Sequence, residues 1–474
     1  MDRITDLNCV NFLNDKDNSF TVEDNGIVPP GFDKISATRG ENNKINIRFI
    51  WTRDKPEFER EETAGKISEI NNETILHFRF GEICKLKNLS SGQYGSYANH
   101  EGFEVYFEFF GACVEICYPN VEEEKWDIIN IGNVANLGFV YDKSSKEIDR
   151  ELCILNLDDG VKIINRKSHS RSHGSYASII LDEKKYYLYM RDESAFILTE
   201  YNSERNRSDW QKILNCISFA FGRYFTLLGR SIFNENWQRN ISQEFSAYTE
   251  KGALCHDISS QPSPLGRLND NGTISLNLID SDRLSRFISN MLRLYDEYNF
   301  DYLTFVYFYG YHMPVHLSPV IYAAAVEALM GRIGAKISSN VIDDKPKVRL
   351  IRKNFKQLID YCELSDNQKS DLKGNIDRIN FRPIKEQIRI FCEREGLVFS
   401  DIEKTAWNRR NSIAHGRFED QRDIQSTIKD VRILRILMVR VMLSLFDDDW
   451  CYFDYSSLNF PIRIIKDPPL QEGV

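Results

Sequence analysis

The chain has 474 residues, too many for one ordinary hydrophobic core, which implies two or three domains. Its 42% hydrophobic and 28% charged residues are those of a soluble globular protein, and a net charge of −9 argues, over the chain as a whole, against a nucleic-acid partner. No apolar run approaches the roughly 18 residues of a membrane span, and the start, MDRITDLN, has no basic-then-apolar secretion signal, so a cytoplasmic location without membrane contact is expected.

Residues 1–300 read as a β-rich region. Lys44–Trp51, Thr74–Phe80 and Phe103–Phe109 alternate apolar and polar residues. Shorter runs at Val114–Tyr118, Trp126–Ile131, Leu152–Leu157, Tyr176–Leu181, Tyr186–Met190 and Phe196–Tyr201 are rich in aromatic and β-branched residues. That density of strands predicts a sandwich or open barrel. Ser91–Tyr97 is glycine-rich but lacks the lysine of a phosphate loop, and reads as a turn. Two helices interrupt the strands, near 208–222 and 281–298, and Gly252–Gly272, with Pro262 and Pro264, reads as a loop. Ten scattered cysteines without a C-x-x-C pair read as reduced, mostly buried thiols.

Residues 301–474 read as helical. Ser318 is a candidate N-cap with Pro319 behind it, and the helix to Gly331 places Glu327 near a face of small residues. Helices follow at Arg349–Cys362, Asp366–Ile379, Ile384–Glu395 and Asp423–Phe446. Between the last two, Ser400 and Glu403 have the spacing of a capping box, and the helix they open runs to about His415, where Gly416 can end it. Several amphipathic helices joined by short links predict an antiparallel bundle, and an α+β multidomain chain overall.

This last helix carries the densest chemistry. In Ala406–Phe418, AWNRRNSIAHGRF, four residues separate Arg410 from His415, and Asn411 follows the arginine. A guanidinium can fork onto a phosphate, and an imidazole titrating near neutrality can move a proton. The charge distribution agrees. Residues 1–344 carry 37 Lys/Arg against 50 Asp/Glu, whereas 345–417 carry 17 against 10. Local field, not net charge, decides where a polyanion docks, although a Lys/Arg-rich helix is more often a solvated face.

The R-x4-H spacing with a polar residue after the arginine resembles the motif of HEPN domains, and the wording RNSIAHG is similar to the ApeA branch of bacterial anti-phage proteins. The resemblance covers roughly residues 318–447. It implies a helical HEPN bundle following the β-rich region and a metal-independent endoribonuclease needing no cofactor. The catalytic residues would be Arg410, Asn411 and His415, with Glu327 as an acidic partner that orients them. It further implies a homodimer or higher even assembly with composite sites. The substrate would be RNA, with transfer-RNA anticodon loops as a target, and a phage-derived component would act as trigger at the N-terminal region. Against this stand a helix end merely capped by Arg and His, a catalytically silent dimerisation module, and a β-sandwich ligand-binding protein with an oligomerising tail.

Two other groupings are weaker. His312 and His316 have i,i+4 spacing, but Met313 and Pro314 deny them a zincin helix, so packing histidines are expected there and no metal site. Arg166–Gly174 is a basic loop read as a solvated connection that could also touch phosphates.

Overall fold

The computed structural model describes residues 9–14, 19–23, 31–40, 43–53, 73–99, 102–110, 113–119, 123–132, 143–145, 147–148, 152–156, 162–166, 174–191, 194–246, 267–268, 274–275, 281–333, 340–414 and 424–470. They divide into two compact units, one drawn from residues 1–259 and 265–289, the other from 260–264 and 290–474. The first is β-rich and antiparallel throughout, the second mainly helical, and the chain is α+β.

Among the described residues the large sheet of the first unit has eleven strands. Its order is Phe20–Val22, Thr74–Phe78, Ile83–Lys87, Cys113–Cys117, Arg239–Phe245, Thr226–Asn234, Glu124–Gly132, Ser194–Glu200, Lys184–Arg191, Gly174–Leu181 and Lys143–Ser145. A second sheet orders Lys34–Arg39, Ile45–Arg53, Gly102–Phe110 and Ser90–Asn99. One core joins the two. Ile47, Phe49 and Trp51 from the smaller sheet share it with Leu76, Phe78, Cys84, Leu86, Val114 and Ile116 from the larger. Alternation produces this, since Ile45, Ile47, Phe49 and Trp51 fall on one face of their strand and go fully inside.

Ser91–Tyr97, expected as a turn, lies instead within the strand Ser90–Asn99 paired with Gly102–Phe110. A Cβ on Gly95 would meet the ring of Tyr106 across the ladder, so this glycine marks a close approach and not a reversal. The loop expected at 252–272 contains Arg267–Leu268, which pairs with Ile274–Ser275. The rest of that loop, and residues 167–173 of the basic loop, lie outside the described residues.

The helix Arg207–Phe221 opens on an Asn206/Asp209 capping box and closes on Gly222 at φ 66°. The helix expected over 281–298 is divided at Leu294 into Ser281–Arg293 and Tyr295–Tyr298. The hydroxyls of Ser281 and Ser285 accept the amides of Ser178 and Ile180 at 3.2 and 3.0 Å, tying this helix to a strand.

In the second unit Ser318–Ile333 packs against Phe300–His312, Ile384–Arg394, Asp401–Ala414 and Ile424–Leu443. Ser318 is not the N-cap expected. Its hydroxyl donates back to the carbonyls of Met313 and Pro314, inside the first turn. Lys345–Asp360 and Asp366–Ile376 form an α-hairpin, and Cys451–Phe453 pairs with Ile462–Ile464 as a two-stranded ribbon. No helix among the described residues is long and apolar enough to cross a membrane.

The side chains of eight of the cysteines are described, six of them buried, with Cys362 exposed. Burial pushes the Cys113 thiol up to about 11 and that of Cys392 up to about 12, and raises Cys9, Cys84 and Cys216 as well. The thiolate is the nucleophile, so iodoacetamide on the native protein is expected to modify Cys362 first among these eight. Peptide mapping reads the order. Equal labelling of Cys84 or Cys216 would mean that the buried interior of the first unit opens on the labelling timescale.

Candidate active site

The helix carrying Arg410 begins as its sequence dictates. Ser400 Oγ accepts the Glu403 amide at 3.5 Å, while Glu403 Oε2 accepts the Ser400 amide at 2.8 Å. Glu403 also does something that spacing could not reveal. Fully buried, it accepts a hydrogen bond from Arg440 of the helix Ile424–Leu443 through its other oxygen. The Arg440 guanidinium then donates to the carbonyls of Ile465 at 2.8 Å, Val398 at 3.1 Å and Lys466 at 3.3 Å. One buried ion pair thereby joins the start of the motif helix, the long helix and the strand-bearing C-terminal segment.

The two consecutive arginines near the other end of the helix are held differently. Arg409 Nη1 donates to Ser426 Oγ and Asp430 Oδ1, both at 3.3 Å, lacing the motif helix to the long one. Arg410 lies with its guanidinium carbon 4.0 Å from the centre of the Trp407 ring, one turn back, and its Nη2 donates to Glu327 of Ser318–Ile333. Trp407 is buried, whereas the side chain of Arg410 keeps 11% of its surface and that of Glu327 keeps 38%. Arg410 Nε is buried without an acceptor among the described residues. The pair therefore sits at the edge of the unit, with an ordered cation, an accessible carboxylate and one unused N–H.

Glu327 and Arg410, 83 residues apart in sequence, are thus in direct contact. Asn411 is on the same helix, with its side chain outside the described residues, and His415 lies outside them altogether. The Arg409–Asp430 and Arg440–Glu403 pairs are absent from the sequence reading. Two arginines on the mainly apolar helix Ile424–Leu443, Arg435 and Arg440, are buried, and such placement is the only signal that could have suggested buried partners.

His312 ends its helix, Met313 is extended and Pro314 follows, so His312 and His316 do not share a helical face. No family model, curated protein or solved structure matches the chain.

Proposed function

We propose that the chain is a metal-independent endoribonuclease of HEPN type, acting in anti-phage defence through its helical unit. The observation that carries the reading is the ordered guanidinium of Arg410, stacked on Trp407 and gripped by Glu327, on the helix that leads into His415. A cation fixed before substrate arrives stabilises developing charge without reorganising, which is where such groups are most effective.

In this mechanism the RNA 2′-hydroxyl attacks the adjacent phosphorus in line and the 5′-oxygen leaves, giving a 2′,3′-cyclic phosphate and a 5′-hydroxyl. His415 transfers the proton, Arg410 neutralises the non-bridging oxygens, and Asn411 bonds the phosphate or fixes the imidazole tautomer. One imidazole cannot be base and acid on opposite sides of phosphorus. Two copies therefore bring their motifs together, as a homodimer or a higher even assembly. Single-stranded loops, transfer-RNA anticodon loops among them, reach the in-line geometry that stacked helices resist. The β-rich region senses a phage component.

The deciding experiment incubates wild-type and His415→Ala protein with total transfer RNA in EDTA and maps the RNA ends. Cyclic-phosphate ends from the wild type alone are the expected result. If lysate from phage-infected cells also elicits no cut, a second reading stands, favoured by the same contact: Arg410 is spent on Glu327, and the bundle is a catalytically silent dimerisation or binding module.

A further inference from the structure

The arginines around the motif helix and the long helix are met by acceptors. Arg409 donates to Asp430, Arg410 to Glu327, and Arg432 to Tyr455 O at 3.2 Å. Arg440 holds Glu403 and three carbonyls. Arg435 differs. It lies on Ile424–Leu443 between Arg432 and Arg440, and only 4% of its surface is exposed. Its Nε and Nη1 are nevertheless buried without an acceptor, and the guanidinium has no carboxylate partner among the described residues. Taking a cation out of water with no opposite charge beside it is costly, and the cost is relieved only by an anion that comes from elsewhere.

Three helices meet at this side chain. From Phe300–His312 the Tyr311 ring lies over it, with 5.2 Å between the guanidinium carbon and the ring centre, and the His312 imidazole packs edge to face on the same ring at 5.5 Å. From Ser318–Ile333 comes the fully buried Tyr322, whose hydroxyl donates to Tyr307 O at 3.2 Å. Tyr322 brings no negative charge. Burial pushes its phenol up to about 12, against the pull of the neighbouring Arg435, so it stays neutral at physiological pH. The π face of Tyr311 attracts the cation without neutralising it. Tyr311 is 39% exposed and Arg435 is not, so the ring is the outer layer of the two. A rotamer change of such a ring, in the last turn of its helix, uncovers the guanidinium for a ligand of a few atoms. An RNA strand or a protein surface is too large to follow it in.

We propose that Arg435 is the floor of a binding site for a small free oxyanion such as phosphate, with Tyr311 as its cover. Charge selects the class and burial selects the size. A guanidinium presents N–H donors in the planar arrangement that oxyanions accept, and its charge gains most from a counter-ion where water is excluded. Bound there, the ion neutralises a cation at the junction of three helices, so its concentration is read out as stability of the helical unit. The site does not depend on the ribonuclease reading. Arg410 is on another helix and is held by Glu327, and separate variants tell the two apart.

Full-length wild type, Arg435→Met and Arg410→Ala are melted in sodium chloride and in millimolar sodium phosphate at equal ionic strength. Phosphate is expected to raise the melting temperature of wild type and Arg410→Ala by several degrees, more as its concentration rises, and to leave Arg435→Met unmoved. Equal shifts in wild type and Arg435→Met, or no shift in wild type, would overturn the proposal. A shift that Arg410→Ala abolishes and Arg435→Met keeps would also overturn it, by placing the ion at the candidate active site. Adenosine monophosphate is expected to give no shift that depends on Arg435, and a shift equal to that of phosphate would sink the assignment to a free ion. Should Arg435→Met fail to fold, equilibrium dialysis with radiolabelled phosphate compares wild type with Arg435→Lys, which keeps the charge and loses the planar fork. Affinity is expected to fall roughly tenfold or more, and unchanged binding would count against the site.

Discussion

Replacing Arg440 or Glu403 by alanine is expected to be among the most destabilising single changes available in the helical unit, at about 3–5 kcal/mol. Neither side chain reaches solvent. Removing one leaves the other as a buried charge with no counter-charge, and that penalty exceeds anything the pair gains over two apolar residues. Arg440→Ala also strips donors from Ile465 O, Val398 O and Lys466 O, while Glu403→Ala removes the acceptor of the Ser400 amide, so the motif helix loses one half of its capping box as well. For a unit of this size about 2–4 °C accompanies each kcal/mol, so the melting transition should fall by roughly 10 °C. A Glu403→Leu/Arg440→Met double variant should cost less than the two single losses added together, because it strands no charge. Chemical denaturation of all four proteins measures this. If each single variant stays within about 1 kcal/mol of wild type, water reaches the pair and the burial described here is wrong.

Glu403 shows what sequence can and cannot deliver. Its capping role is local, set by a serine three residues earlier, and the box is present where spacing puts it. Its pairing with Arg440 spans 37 residues and depends on how two helices cross, which no window of sequence contains. The same division runs through the fold. Long alternating or helical stretches such as Ile45–Arg53 and Ile424–Leu443 declare themselves, because burial of one face imposes a period. The strand Ile83–Lys87 does not, because five residues with Lys85 and Lys87 among them hold no aromatic and only one β-branched residue. Gly95 misled because a glycine that admits Tyr106 from the next strand looks, in sequence, like one that turns the chain. Ser318 misled likewise, since a serine hydroxyl can accept at a cap or donate back to a carbonyl, and neighbours decide which. At the candidate site the helices that carry Glu327 and Arg410 were legible. That Arg409 and Arg410 would be divided between a helix tie and a stacked, carboxylate-held cation was not, since both are arginines on one turn.

That division yields the second large effect. If Arg410 neutralises the transition state, Arg410→Ala should lower the cleavage rate by about 10²–10³-fold, the usual loss for a fixed donor at a developing oxyanion. Arg410→Lys should recover little, because a lysine can neither fork onto phosphate nor stack flat on Trp407. Glu327 separates chemistry from architecture. Its side chain is 38% exposed, so the ion pair is a partly solvated one and contributes about 1 kcal/mol or less to stability. An orienting role predicts that Glu327→Ala keeps its melting temperature within a few degrees and loses most of its activity. Glu327→Gln, which still accepts from Arg410, should regain part of that activity. A strut between helices predicts the opposite: a clear drop in melting temperature, with cleavage per folded molecule unchanged. Arg409→Ala supplies the internal control, since its contacts to Ser426 and Asp430 hold helices together and do not face Glu327. It should lose stability without a specific loss of cleavage. Should Arg409→Ala and Arg410→Ala behave alike in both assays, Arg410 is a second helix tie, and the phosphate-binding role assigned to it falls.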